Sequence, residues 1–305
     1  MSSAQTETWV PAAGVDVAAV NADLDPALPT VDVGMYYPSN LDPAHRAKVT
    51  VELLVSGFTA AKPIFLAAGV QLNLLWLRTG PLDPRLFAVN STKPGNERPS
   101  GRFANMYVEA ERHPSECSDE ALAAFEAIGG KVPGSDRIVH LVTLQDVFMD
   151  FHEQIDFRTW QLKTISTGGL SFPGYMYGDT MPRDFRGVIT ITDLTKEDTS
   201  WKTIAHELGH KLLNVSHEYR KTSPQHEVRA DGGLMLYGKG TEILAGAEGR
   251  YHYERLHRSP YIYTTAPDGT RQYNRDCERG GFYYDPIYDG VCVDLDAEAM
   301  EVAEG

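Results

Sequence analysis

The sequence predicts an α+β protein with an N-terminal α/β half, a helix carrying paired histidines at the junction, and an irregular C-terminal half. Three observations carry this expectation. Short apolar segments of strand and helix periodicity alternate between residues 49 and 193. The segment His206-Glu207-Leu208-Gly209-His210 lies in a stretch of helical periodicity that directly follows a strand-like run. From Tyr219 onward the chain turns to Tyr, Gly, Arg, Asp and Pro, with few apolar runs.

Residues 1–47 are rich in Ala, Pro, Asp and Val with little periodicity, and read as an irregular arm or pro-like segment. Residues 48–214 read as an α/β subdomain. Within it, 49–55 (VTVELLV) reads as a strand and 58–68 as a helix, with Pro63 near its first turn. Residues 71–77 (QLNLLWL) read as a strand, and 81–100 as a loop rich in Pro, Gly, Asn and Lys. A capped helix follows over 118–128, ending at Gly129-Gly130, then a strand over 137–144. Residues 168–186 form a Gly/Pro/Tyr loop, and 187–193 (GVITITD) alternates as a strand. The histidine helix covers 199–213, with Thr195, Asp198, Thr199 and Ser200 as candidate N-caps. Residues 215–293 form the irregular subdomain, with one further helix over 243–257 interrupted by glycines. Residues 294–305 are an acidic tail.

Bulk properties narrow the function. A chain of 305 residues, 42% apolar, makes one large domain or two modest ones with a normal core. The longest apolar stretch, 65–77, is broken by Gln71 and Asn73, so no membrane span is expected. The start as written has no basic or apolar leader region. This predicts a cytoplasmic protein by default, and a secreted one if a leader was removed or a leaderless route is used. A net charge of −14 disfavours nucleic acid as a partner. Cys117, Cys277 and Cys292 are too few for a disulfide scaffold; Cys277 and Cys292 flank one loop and are candidates for a bridge.

Two histidines on a helix are most often polar surface, and five-residue patterns arise by chance. Here Trp201, Ala205, Leu208 and Leu212 make an apolar stripe, and the histidines fall off it. His206 and His210, four apart, present both imidazoles on one face to one ion, while Glu207 misses that line and can reach a water beside it. A catalytic zinc needs a third protein ligand. His217 reaches the same ion only if the helix stops and the chain reverses, and Asn214 stands where a left-handed residue is required. Glu227, in Glu227-Val-Arg-Ala-Asp231, is the alternative third ligand.

Residues 206–217 resemble the HExxHxxGxxH pattern of the metzincin zinc endopeptidases. Asn214 replaces the turn glycine, one extra residue precedes it, and Ser216 occupies the strictly spaced ligand position. The methionine that this family carries in a tight turn beneath the metal matches Met235 in Gly232-Gly233-Leu234-Met235-Leu236-Tyr237-Gly238. In the astacin-like and serralysin-like branches a tyrosine two residues beyond that methionine can approach the zinc, which points to Tyr237.

The resemblance implies a twisted, mostly parallel sheet with a backing helix and an active-site helix. It implies one Zn2+ held by His206, His210 and His217, supported by Asn214 and Met235. It further implies peptide-bond hydrolysis with Glu207 as general base and Tyr237 on the oxyanion, and a protein or peptide substrate held extended along strand 187–193. On this view an acidic residue of the N-terminal arm, such as Asp32, is a candidate to block the metal. The chain's acidity also suits Ca2+, for which it shows no motif. Three other readings stand beside this one: a gluzincin-like peptidase using Glu227, a non-catalytic zinc-binding protein, and a zinc hydrolase of non-peptide bonds.

Overall fold

A computed structural model describes residues 9–100, 115–129, 135–177, 180–196, 202–215, 217, 232–236, 240–246, 249 and 251–276, and the structural statements below concern these residues. The chain opens with β1 (Val10–Pro11) and the short helix α1 (Val17–Val20), capped by Asp16, which accepts from Ala19 N at 3.0 Å. There follow β2 (Thr30–Pro38), α2 (Pro43–Arg46), α3 (Val51–Ala67) and β3 (Gln71–Gly80). After these come β4 (Ala88–Asn90), β5 (Arg98–Ser100), α4 (Asp119–Gly129), β6 (Val139–Thr143), β7 (Asp146–Gln154), β8 (Trp160–Ser166) and β9 (Gly169–Leu170). The chain continues through α5 (Gly174–Tyr177), β10 (Val188–Ile191), α6 (Thr203–Leu213), α7 (His252–Leu256), β11 (Ile262–Thr265) and β12 (Arg271–Tyr273).

The main sheet has a parallel core in the order β3-β2-β6-β10. Antiparallel strands flank it, β1 on β3 and β9 on β10. The β11–β12 hairpin joins the start of β2 through Ile262↔Val31 and Tyr263↔Thr30. The architecture is therefore mixed α+β, built on a curled sheet with a mostly parallel core. Alternation along the strands sends Met35, Leu141 and Ile189 to one face, where Phe58 and Phe65 of α3 and Ala205, Leu208 and Leu212 of α6 cover them. Tyr36, Val142 and Val188 point the other way, towards Phe125 of α4, Phe172 and Tyr177. At Gly34, where the register with β3 shifts, an added Cβ would sit 2.6 Å from the Trp76 ring.

Several sequence expectations are overturned. Residues 49–55 are not a strand. Thr50 Oγ1 accepts from Leu53 N at 3.1 Å and caps a single helix, α3, that buries Leu54, Phe58, Ala61 and Phe65. Tertiary packing along that stripe outweighs the β-propensity of the valines and threonine at its start. By length and composition Pro43–Ala67 is apolar enough to cross a membrane, but α3 spends its apolar face on the sheet. Lys62, buried within that face, is held by Asp23 and by Val20 O at 2.6 Å.

The segment 1–47 is not simply an irregular arm, because it contains β2, a central strand buried at all but one position. Asp32 is not available to a metal. It is fully buried on β2, where it accepts from Asn73 Nδ2 at 2.7 Å and Tyr263 OH at 3.0 Å and pairs with Arg271 at 2.5 Å. Strand 187–193 is not a sheet edge, since β10 is covered by β6 on one side and by β9 on the other, with Thr190↔Leu170 and Ile191↔Gly169. Among the described residues, the loop expected over 168–186 thus holds the margin of the sheet, β9. Of the helix expected over 243–257, His252–Leu256 alone is helical among the described residues. Residues 146–166, with no assignment from sequence, form the β7–β8 hairpin of a second sheet in which β7 also pairs β4 and β5.

Candidate metal centre

The site is built on α6, whose apolar stripe (Ala205, Leu208, Leu212) is buried against the sheet core. The N-terminus is not capped by a side chain: Lys202 holds the N-cap position, and its carbonyl accepts from His206 N at 2.8 Å. Thr195 is bonded instead to Asp193, and Asp198, Thr199 and Ser200 lie outside the described residues. The helix ends at Asn214, which adopts φ 50°, ψ 51°. That left-handed residue turns the chain back so that Val215 O meets the Nδ1 of His210 at 2.7 Å.

The structure brings three imidazoles together. Their ligand atoms all lie within 4.8 Å of one another. His217 Nε2 is 3.0 Å from His206 Nε2 and 3.1 Å from His210 Nε2. Nitrogens at roughly 2.05 Å from a tetrahedral ion lie about 3.3 Å apart, so the two separations at His217 fall within a few tenths of an ångström of what a shared tetrahedral cation requires. The remaining nitrogens are also disposed for this. His206 Nδ1 donates to Leu234 O at 2.9 Å and His210 Nδ1 to Val215 O, which leaves both Nε2 lone pairs facing the common centre. The donor set fits a divalent, borderline-soft cation.

Electrostatics agree with the geometry. Burial is the main cause that holds all three histidines below their ordinary range, and for His210 and His217 the neighbouring imidazoles add to it. His217 is pushed down to about 3. Neutral imidazoles are ligands, and cationic ones are not. Glu207 is buried and its Oε2 has no hydrogen-bond partner. Burial pushes its carboxyl up to about 8, with the Lys211 ammonium opposing. Glu207 lies against β9, where a Cβ at Gly169 would fall 2.6 Å from Glu207 Cγ.

Met235 is fully buried in a turn closed by Leu236 N donating to Gly233 O at 3.0 Å. The turn is anchored by Leu234 N donating to Glu242 O at 2.8 Å, and Gly232 takes φ 87°. Tyr237, Glu227 and Asp231 lie outside the described residues, as do Cys277 and Cys292. Cys117 is buried away from this chemistry, with its thiol pushed up to about 12 by burial.

Sequence reasoning missed four contributors. The carbonyls of Leu234 and Val215 orient the imidazoles, and backbone acceptors have no residue signature. Gly169 makes room for Glu207, and Lys211, fully buried, donates to Phe172 O at 2.7 Å and Arg186 O at 2.5 Å. Lys211 was visible as a lysine at a core position of a buried helix. Phe172, which it holds, takes a positive φ of 47°. Compared with the known protein families and with curated proteins, the chain matches none.

Proposed function

We propose that this chain is a zinc-dependent endopeptidase of metzincin-like type. The observation that carries the reading is the convergence of His206, His210 and His217 beside the buried, unpartnered carboxyl of Glu207. The reversal at Asn214, the Met235 turn under α6, and the order strand, helix, strands, metal helix support it. Zinc held by the three histidines would supply Lewis acidity to a scissile carbonyl and acidify a water to near neutrality.

The chain's own residues do the rest. Glu207 takes the proton of the attacking water and returns it to the leaving amine; burial raises its carboxyl in the metal-free fold, and the positive charge of a bound metal would act in the opposite direction and favour the carboxylate. Leu234 O and Val215 O hold the imidazoles in one tautomer. Tyr237 is assigned to the developing oxyanion by the family resemblance alone. The substrate lies extended along the outer edge of β9, the margin of the main sheet, rather than along β10.

Cleavage of an unfolded protein such as casein, with and without chelator, tests the reading. Activity removed by chelator and restored by zinc is expected, and Glu207→Gln should keep the metal while losing at least about 100-fold in kcat. A protein that binds zinc and hydrolyses no peptide would overturn it.

A further inference from the structure

Lys211 of α6 is 2% exposed and stands one turn beyond Glu207 on the same face of the helix. A buried ammonium costs stability unless its donors find partners. Two of the three donors here find main-chain carbonyls, one just after β9 and one just before β10: Phe172 O at 2.7 Å and Arg186 O at 2.5 Å. An apolar side chain of similar length would fill a core position without that cost, so the ammonium is present for what it binds.

The two carbonyls stand where the β9–β10 pairing gives out. β9 meets β10 through the pairs Ile191↔Gly169 and Thr190↔Leu170. At the entrance of β9, Gly168 O accepts from Thr192 N at 2.9 Å and from Asp193 N at 3.2 Å. At its exit the ladder has ended, and Lys211 bridges the two chains instead. Phe172 takes φ 47°, so its carbonyl meets α6 while its ring packs on the opposite face of the sheet, with centroids 5.2 Å from Phe125 and 5.1 Å from Tyr177. Arg186 is fixed through its side chain, which donates to Asp276 at 2.8 and 3.0 Å. Between the two anchored ends Gly169 lies on the Glu207 carboxyl, where an added Cβ would fall 2.7 Å from Oε1.

We propose that Lys211 is a positioning residue for peptide hydrolysis: by tying the exit of β9 to the entrance of β10 it fixes the sheet edge at the depth that seats Gly169 against Glu207, and so aligns a substrate held on that edge with its general base. The proposal rests on the peptidase reading. One turn of α6 sets the spacing of Glu207 and Lys211, so the helix that carries the base also carries the tie to the edge strand. With the tie cut, the carbonyls of Phe172 and Arg186 lose a buried donor, and the exit of β9 is free to lift from α6. A displacement of about 1 Å between base and scissile bond is enough to cost on the order of 100-fold in rate.

The test uses the full chain with Lys211→Met, which keeps the length of the side chain and removes its donors. Backbone hydrogen exchange reads the tie without metal or turnover. Thr192 N faces β9 and donates to Gly168 O, and by strand alternation Thr190 N faces the same way. Both amides should exchange at least about tenfold faster than in the unsubstituted chain while those of β6 keep their protection, the pattern of a local opening. Bound zinc should be unchanged, and kcat for a short peptide, counted per bound zinc, should fall at least about tenfold, by more than KM rises. If Lys211→Met does not fold, Lys211→Gln, whose amide sits one bond short of spanning both carbonyls, carries the same measurements. Unchanged exchange at Thr190 overturns the tie. Faster exchange in β6 and β10 alike, or a kcat that holds while exchange rises at Thr190, overturns the positioning role and leaves Lys211 a residue of stability alone. Absence of any cleavage by the unsubstituted chain, with exchange still rising locally in Lys211→Met, would instead overturn the peptidase reading and leave the tie standing.

Discussion

Gly209 of α6 and Met235 of the turn beneath it meet where a side chain would otherwise stand: a Cβ at position 209 would lie 2.6 Å from Met235 Sδ and 3.0 Å from Leu234. The glycine inside the histidine motif thus lets the helix settle on the turn. The same turn supplies Leu234 O to His206 Nδ1 at 2.9 Å. Packing and the orientation of the His206 imidazole are therefore coupled through one contact.

Gly209→Ala is accordingly expected to cost about 1–3 kcal/mol of stability, as overpacking does in a closed core, despite the better helix propensity of alanine. Zinc affinity should fall with it, because Leu234 moves. Chemical denaturation and a metal titration on the same variant check both effects, and a variant of unchanged or greater stability would contradict the contact.

Asn214 makes the reversal that delivers Val215 O and His217 to the site. Asn214→Gly should be tolerated within about 1 kcal/mol, since glycine reaches the left-handed region freely. Asn214→Val should cost roughly 1–2 kcal/mol from backbone strain alone and lower zinc affinity more than Asn214→Gly does. Equal affinities in the two variants would sever the link between this dihedral and the third ligand.

How much was legible in the sequence divides by the kind of signal. His206, Glu207, His210, Asn214 and His217 could be read because a helix fixes their spacing, and a left-handed break has few side chains to choose from. Strands 71–77, 137–144 and 187–193 were visible because apolar alternation is local. Residues 49–55 misled because Val49, Thr50 and Val51 favour strands in isolation, while Thr50 as a cap and the downstream stripe to Phe65 decide for helix. β2 was hidden by its Pro- and Asp-rich surroundings, and its polar Asp32 is explained only by Asn73, Tyr263 and Arg271, the nearest of them 41 residues away. The two-residue β9, which displaces β10 from the sheet margin, is too short to carry any period.

The metal-free protein should lose stability in acid. His206, His210 and His217 are held below the ordinary histidine range in the fold, so below about pH 6.5 the unfolded chain takes up protons that the folded chain refuses. Their contribution is complete above that pH and is lost as pH falls beneath it. Glu207, pushed up to about 8, works in the opposite sense by one proton. Three histidines outweigh one carboxyl, so the net slope below pH 6 is positive and stability falls as the solution is acidified. Urea melts of the chelator-treated protein at pH 7, 6 and 5 measure it, and constant stability over that range would contradict the buried neutral triad.

Glu207→Gln should stabilise the metal-free protein while abolishing turnover. A carboxyl whose folded pKa is raised contributes stability that is complete below its unfolded value, near 4.5, and lost as pH rises through about 8. The advantage of the glutamine should therefore grow from pH 5 to pH 8 and level off above, reaching a few kcal/mol, on the order expected for a buried, unpartnered carboxylate. A stability difference that does not change with pH would place Glu207 in solvent.

Three histidines, the last delivered by Asn214, are proposed to hold one zinc ion. Zinc bound per chain, measured by mass spectrometry after dialysis, tests it in three proteins: the unsubstituted chain, His217→Ala and Glu227→Ala. A full complement of zinc is expected in the first and third and its loss in the second. Zinc retained by His217→Ala and lost from Glu227→Ala would contradict the ligand set and assign the third position to the glutamate.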